Sequence, residues 1–255
     1  MADRRVPLSI VIPVLDEGGG IGECVRRLGW ADEVLVADGG SRDETVAAAR
    51  AAGATVLERT GPTIAAQRNA AIAMARNRYV FALDADERIP DPLRDELAGV
   101  VEAPAHPVYQ VRRRNYYLGR ELTRGRWGRD WVTRLFTSDH RYQERRVHEG
   151  LGPVPDAGIL RSPLEHVPYR DLGHQIEKMN RYARWGAQDM FEDGKRARLW
   201  DLGGRPLGRF ARSYLLQGAW RDGRFGFVTS VLGGYTAFLK YAHLWALERG
   251  SRAEP

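Results

Sequence analysis

The sequence predicts an α/β fold, a Rossmann-like, mostly parallel mixed sheet with helices on both faces, followed by a helical C-terminal region. Three observations predict it. β-branched apolar runs alternate with helix-length segments across the first hundred residues, the signature of repeated β-α units. Three of these runs close on acidic residues: Asp16-Glu17, Asp38 and Asp84. From Asp171 onward strand signals stop and apolar residues recur at helical spacing.

The elements follow in order. Leu8–Val14 is a β-branched apolar run, as a strand buried on both faces requires. Ile21–Leu28 reads as a short amphipathic helix and Glu33–Ala37 as the second strand, closing on Asp38. Ser41–Asp43 can start a helix that carries Val46 and several alanines and stops at Gly53. Ala54–Leu57 is the third strand, and Ile64–Ala75 is a helix with Pro62 just ahead of it. Tyr79–Leu83 is the fourth strand, and Pro90 and Pro92 open a helix that runs to Val101. After Pro107 the pattern changes. Val108–Arg113 and Trp131–Phe136 read as strands, and the Gly- and Arg-rich stretch between them, Asn115–Arg129, reads as a loop. A boundary near residue 165 separates a mixed-sheet domain, 1–165, with halves 1–104 and 105–165, from a helical region, 166–255.

Composition narrows the function classes. With 43% hydrophobic and 28% charged residues, the 255-residue chain has globular composition. A single cysteine, Cys24, excludes a disulfide scaffold and any zinc site of several thiolates, and fits a reducing compartment. The first apolar run is interrupted by Pro7 and Pro13 and lacks the pattern of a signal peptide. The longest uncharged run near the end, Phe225–Leu239, has 15 residues, short of a bilayer span. Charge is uneven: residues 1–104 carry a net −5 and the remainder a net +11. An acidic half beside a basic half points to a cation-using site next to a surface that meets anions.

In open parallel sheets ligands sit beyond the carboxyl ends of the strands. Asp16, Glu17, Asp38, Asp84 and Asp86 all fall there, from three separate stretches of sequence. A dinucleotide fingerprint fails, because Glu23 and Val25 occupy the final places of the two possible G-x-G-x-x-G frames at Gly18 and Gly20. No G-x-x-x-x-G-K-[ST] loop is present. The sharpest feature is Asp84-Ala85-Asp86-Glu87. Carboxylates at i and i+2 beyond a strand point the same way. Magnesium and manganese take one or two such groups and complete their shell with water and phosphate oxygens.

Pro13-Val14-Leu15-Asp16-Glu17, Asp38-Gly39-Gly40-Ser41-Arg42-Asp43, Gln67-Arg68-Asn69 and Asp84-Ala85-Asp86-Glu87, in that order and spacing, resemble the family-two inverting glycosyltransferases of GT-A fold. Further on, Arg113–Gly119, Thr133-Arg134-Leu135-Phe136 and Val147-His148-Glu149 resemble the subgroup that contains lipopolysaccharide core glycosyltransferases. The resemblance implies a nucleotide-sugar donor, a UDP-sugar first among them, with Mg2+ or Mn2+ as cofactor. It implies a nucleotide-sugar half at 1–104 and an acceptor half at 105–165. Pro13 and Glu17 would lie against the nucleoside, and Asp38 would accept from the base with Asp16 or Asp43 nearby. Arg68 would face the diphosphate, Asp84 would touch the ribose or the metal, and Asp86 would ligate the metal. Asp16 stands where the family often has Asn. Inverting transfer also needs a base. Glu149 is the candidate, with His148 beside it on metal or phosphate and Glu87 as the rival base; Arg134 is the candidate to stabilise the departing diphosphate.

The tail adds a partner. Val228, Val231, Leu232, Tyr235, Phe238, Leu239, Ala242 and Trp245 recur at helical spacing behind Arg209, Arg212, Arg221 and Arg224. Basic, aromatic, amphipathic segments suit an anionic membrane surface, although the same helices can pack on a catalytic domain. No nucleic-acid recognition motif accompanies the arginines. The expectation is a cytoplasmic transferase, peripheral on the inner membrane face, acting on a lipopolysaccharide-core or other lipid-linked saccharide. A nucleotidyltransferase acting on sugar phosphates, or a non-catalytic membrane- or polyanion-binding module, is the alternative.

Overall fold

The computed structural model describes residues 5–250 apart from 126, 144–149, 153 and 155. The chain divides into two compact units, one of residues 1–113 and 131–166, the other of residues 114–130 and 167–255.

The first unit is built around β1 (Val6–Val14), which pairs in parallel with β2 (Ala31–Asp38) on one side and β4 (Tyr79–Ala82) on the other. β3 (Thr55–Leu57) extends the parallel half beyond β2. The sheet then turns antiparallel at β8 (Trp131–Thr137), which lies between β4 and β6 (Val108–Tyr117). The full order is β3-β2-β1-β4-β8-β6-β10-β5, where β5 is Glu87–Arg88 and β10 is Leu164–His166; β9 (Gly158–Ile159) pairs with β6.

The alternation of β1 shows why both faces are covered. Leu8, Ile10, Ile12 and Val14 enter one apolar cluster with Ile21 and Val25 of α1 (Gly18–Arg26) and with Leu93 and Leu97 of α4 (Asp91–Glu102). Val11 points the other way, into a cluster with Ala65, Ala71 and Ile72 of α3 (Ile64–Met74). From Leu8 to Val14 the strand is apolar except at Ser9, itself buried and donating to Glu33, which is what a two-sided burial demands. α2 (Thr45–Ala51) adds Ala49 to the first cluster. The α/β sheet with helices on both faces agrees with the sequence expectation.

Two elements differ from the sequence reading. α1 begins at Gly18, three residues early, because Asp43 from a distant loop accepts the Gly18 amide at 3.0 Å and so caps an unpromising glycine start. The stretch read as a loop, Asn115–Arg129, contains the end of β6, a hairpin to β7 (Arg120–Leu122) and a 3₁₀ turn at Trp127–Arg129. Its two-residue turn, Leu118-Gly119, has positive φ at both positions, 46° and 80°. That is a hairpin geometry normally marked by Asn-Gly, and leucine in the first place conceals it.

The second unit holds three long helices, α5 (Leu172–Glu192), α6 (Leu199–Ala211) and α7 (Gly223–Gly250), with a π-helical turn at Arg212–Leu216 and a 3₁₀ turn at Ala219–Asp222. Asp171 caps α5 by accepting the His174 amide at 2.8 Å. Asp222, buried, ties the 114–130 segment to this unit. It accepts from Thr123 Oγ1 at 3.0 Å and from the Arg124 amide at 2.9 Å. α7 buries Gly226, Ser230, Gly234, Ala237, Tyr241 and Leu244 and packs along both α5 and α6. Its opposite side leaves Phe227, Val231, Tyr235, Phe238 and Trp245 exposed. One face of α7 is therefore core, and both sequence readings of the tail have a face to refer to. No helix among the described residues is long and apolar enough to cross a membrane.

Close approach makes Gly226 a sensitive point. A Cβ there would lie 1.8 Å from the Ala219 carbonyl oxygen, a backbone atom that can move only with its turn. Gly226→Ala is expected to destabilise the protein by about 1–3 kcal/mol, read as a lower urea midpoint at unchanged m-value. A midpoint equal to the wild type would show that the turn yields freely.

Candidate active site

The loops after β1 and β2 are laced together by the acidic residues that the sequence singled out. Asp16, at φ 56°, accepts the Arg42 amide at 2.9 Å and donates its own amide to Ser41 Oγ at 2.9 Å. Asp38 accepts from the Gly40 amide at 2.8 Å and from the Ser41 amide and hydroxyl, and it is 2% exposed. Asp43 accepts from the amides of Gly18 and Thr45 and from the Thr45 hydroxyl, which leads the influences holding its carboxyl below the usual aspartate range. The Glu17 amide donates to Thr45 Oγ1 at 2.8 Å, and the Glu17 side chain is exposed. Pro13 is half-buried on β1, opposite Ala37. The three aspartates thus brace the mouth of the sheet with their oxygens, and Glu17 and Pro13 line it.

At the end of β4 lies a buried charge cluster. Asp84 pairs with Arg68 through Oδ1 and with Arg134 through Oδ2. Arg134 also reaches Glu87 Oε1 at 2.5 Å, and Arg113 reaches the same oxygen at 3.2 Å. Glu87 Oε2 folds back to accept the Asp84 amide at 3.1 Å. Burial would raise the Asp84 carboxyl pKa, but Arg134 and Arg68 outweigh it and hold it far below the usual range. Burial would likewise lower the Arg134 pKa, yet Asp84 and Glu87 keep it charged. Arg68, Arg113 and Arg134 thus gather beside Asp84 and Glu87, and a guanidinium has the charge and the fork of donors that phosphate oxygens accept from.

The Gln67-Arg68-Asn69 run now has a division of labour. Gln67 packs under Gly39 and donates to the Gly61 carbonyl at 3.3 Å. Asn69 clamps Tyr142 through both backbone groups, at 2.9 and 2.8 Å. The Tyr142 ring then lies 4.8 Å from the Arg68 guanidinium, a buried cation–π contact.

Asp86 takes a different partner. Its Oδ1 lies 3.5 Å from Nε2 of His166, which β10 brings beside β5 in the register His166↔Glu87. His166, 8% exposed, escaped the sequence reading because it sits 80 positions from Asp86 at the end of a three-residue strand. Its only sequence signal is the apolar–polar alternation of Leu164-Glu165-His166. One carboxylate and one imidazole fit a divalent cation that keeps most of its shell for water and phosphate oxygens. Asp84, expected on the ribose or the metal, meets Arg68 through one oxygen and Arg134 through the other. No group of three or more His, Cys, Asp or Glu side chains with metal-binding spacing occurs among the described residues. His148 and Glu149 lie outside the described residues. Glu87, the rival base, is buried, with Oε1 on Arg113 and Arg134 and Oε2 on the Asp84 amide.

The profile of the family described as "Glycosyl transferase family 2" matches residues 9–167, which include every residue of this site. The chain belongs to glycosyl transferase family 2. A lipopolysaccharide core biosynthesis glycosyltransferase, LpsC of Rhizobium meliloti, is 32% identical over 94% of this chain and 93% of its own. An uncharacterised glycosyltransferase of Rickettsia typhi is 26% identical over 87% of this chain and 80% of its own. A crystal structure of glucosyl-3-phosphoglycerate synthase from Mycobacterium tuberculosis with Mn2+, UDP and product is 26% identical, with a TM-score of 0.36 over 43% of this chain and 44% of that one. The chain spans less than half the length of that structure. Family membership makes this protein a glycosyltransferase and sets aside the nucleotidyltransferase and the non-catalytic binding module.

The cluster makes a stability prediction. A carboxylate whose pKa is depressed on folding contributes stability that is complete above its unfolded pKa, about 3.9, and is lost as pH falls toward the folded value. Asp84→Asn removes that term and leaves Arg68 and Arg134 under-compensated, at a cost of about 3–5 kcal/mol near neutral pH. Urea unfolding from pH 2 to 7 should show a smaller stability difference between wild type and variant at the acid end. A constant difference across that range would contradict the pairing.

Proposed function

We propose that this glycosyltransferase is metal-dependent and inverting, and that it moves a sugar from a nucleotide sugar, a UDP-sugar first among them, to a lipopolysaccharide-core or other lipid-linked saccharide. The observation that carries the reading is the pair Asp86–His166 one turn away from the arginine-rich cluster of Arg68 and Arg134. The pair suits a divalent cation, Mg2+ or Mn2+, which supplies Lewis-acid stabilisation to the leaving diphosphate when bound. Arg68 and Arg134, held rigid by Asp84 and Glu87, present fixed positive charge to the same phosphates without reorganising. Pro13 and Glu17 lie against the nucleoside, Asp38 accepts from the base with Asp16 or Asp43 nearby, and Asp84 touches the ribose or the metal. Glu149 takes the acceptor hydroxyl proton as that oxygen bonds the anomeric carbon and the bond to the diphosphate breaks on the opposite face. His148, beside it, binds metal or phosphate.

Support for the acceptor class is the relationship to a lipopolysaccharide core enzyme over nearly the whole chain. A lipid-linked acceptor calls for a peripheral enzyme on the cytoplasmic face of the inner membrane. The exposed apolar side of α7 ends in Arg224 and Arg249, with no acidic residue on that side between them, which suits an anionic lipid surface.

A thermal-shift panel of nucleotide sugars with and without Mn2+ tests the donor half. The largest stabilisation should come from one UDP-sugar with metal, worth about 2.7 kcal/mol at a hundredfold excess over Kd. No response to any nucleotide sugar, with metal or without, would overturn it.

A further inference from the structure

An open cleft of about 790 Å³ lies within the helical unit, lined by Lys195, Arg196, Arg198, Arg205 and Lys240 with Trp200 and Tyr241. Its floor is the Tyr241 ring, against which two cations rest, Arg205 at 5.1 Å and Lys240 at 5.3 Å. The remaining cations come from the connection between α5 and α6, where Gly194 at φ 75° turns the chain. Against five cations the lining has one acid, Asp201. Both its oxygens are spent, one on Arg205 and one on the Arg198 amide at 2.9 Å. Asp193, beyond the lining, pairs with Lys195 at 3.1 Å. Burial, then Arg209, Arg205 and Lys195, pushes the Lys240 pKa down, so the surroundings of this ammonium are cationic. Like charges gathered on an aromatic floor repel one another, and an anion between them relieves that repulsion.

The rim shows where the anion comes from. Trp200 is 74% exposed and Leu199 86% exposed at the first turn of α6, and Leu207 follows on the same helix at 70%. The Trp200 indole lies over Gly204, where a Cβ would approach within 2.2 Å, so the absence of a side chain at that position makes room for the ring. At the other end of α6, Phe210 and Tyr214 meet Phe227 at 6.0 and 5.6 Å, which joins this apolar side to the exposed side of α7. A soluble anion has no use for exposed tryptophan and leucine beside its site. A phosphorylated lipid has, because its headgroup enters the cleft while the rim side chains lie among the acyl chains.

We propose that the cleft of Lys195, Arg198, Arg205 and Lys240 binds the phosphate headgroup of an anionic lipid, with Trp200 and Leu199 inserted beside it. This rests on the membrane part of the functional reading and adds a defined site to it. The site is separate in sequence from the donor residues, all of which precede position 167.

The test uses the full chain and phosphatidylcholine vesicles containing phosphatidic acid, a phosphomonoester. Wild type should sediment with them, and its Trp200 emission, isolated by difference against Trp200→Phe, should be quenched by brominated acyl chains. Lys195→Ala with Arg198→Ala should weaken sedimentation about tenfold or more, while the thermal midpoint and the donor-induced shift stay unchanged. The control pair Arg224→Ala with Arg249→Ala should cost clearly less. Equal losses from the two pairs would assign the effect to diffuse charge and overturn the cleft. Release of the protein from vesicles by millimolar glycerol 3-phosphate would assign the cleft to a free phosphate and overturn the lipid occupant. Wild type that ignores every anionic vesicle would take down the membrane reading, and this proposal with it, but leave the donor chemistry standing.

Discussion

Asp86→Asn is expected to abolish sugar transfer while the fold survives. The substitution keeps size and removes the charge opposite His166, 3.5 Å away. Metal-assisted stabilisation of a leaving diphosphate contributes several kcal/mol to the transition state, so turnover should fall by about 10³-fold or more. His166→Ala should show the same phenotype in milder form, with a raised metal requirement, because one protein ligand remains. Turnover is the readout, and the thermal midpoint is the control. Transfer at near wild-type rate with unchanged metal dependence would remove Asp86 from the metal site.

The second large effect separates two glutamates. Glu149→Gln is expected to cut kcat by about 10²–10⁴-fold with little change in donor affinity or stability, the usual worth of a positioned base. Glu87→Gln should do the reverse. Glu87 is buried and held by Arg113 and Arg134, so losing its charge leaves guanidiniums unbalanced and lowers stability first. Steady-state kinetics beside urea unfolding distinguishes them. An inactive, fully stable Glu87→Gln beside an active Glu149→Gln would reverse the assignment.

What the sequence made legible depended on the range of the interaction. The parallel half of the sheet follows from local apolar runs and from glycine and proline punctuation, and β1, β2, β4 and α3 fall close to where those signals put them. Asp84 and Asp86 could be placed beyond a strand because a D-x-D at a strand end is a local pattern. Their different fates could not be read. Arg134 reaches Asp84 across 50 positions, and His166 reaches Asp86 across 80, through antiparallel pairings that no local signal encodes. The same limit applies to Asp16, Asp38 and Asp43. Asp16 accepts the Arg42 amide and Asp43 the Gly18 amide, contacts between the two mouth loops that residue types alone do not reveal, and Asp38 accepts from Gly40 and Ser41. In the tail, helical spacing revealed α7 but not that Gly226, Ser230 and Gly234 would face the core and leave the aromatic residues outside.

The measurement that tests the functional account most directly is product analysis with a UDP-sugar, a lipopolysaccharide-core acceptor and Mn2+. The expected result is release of a nucleoside diphosphate, an inverted anomeric linkage in the product, and loss of both on chelation or in Asp86→Asn. Transfer with retained anomeric configuration, or transfer indifferent to chelation, would contradict it.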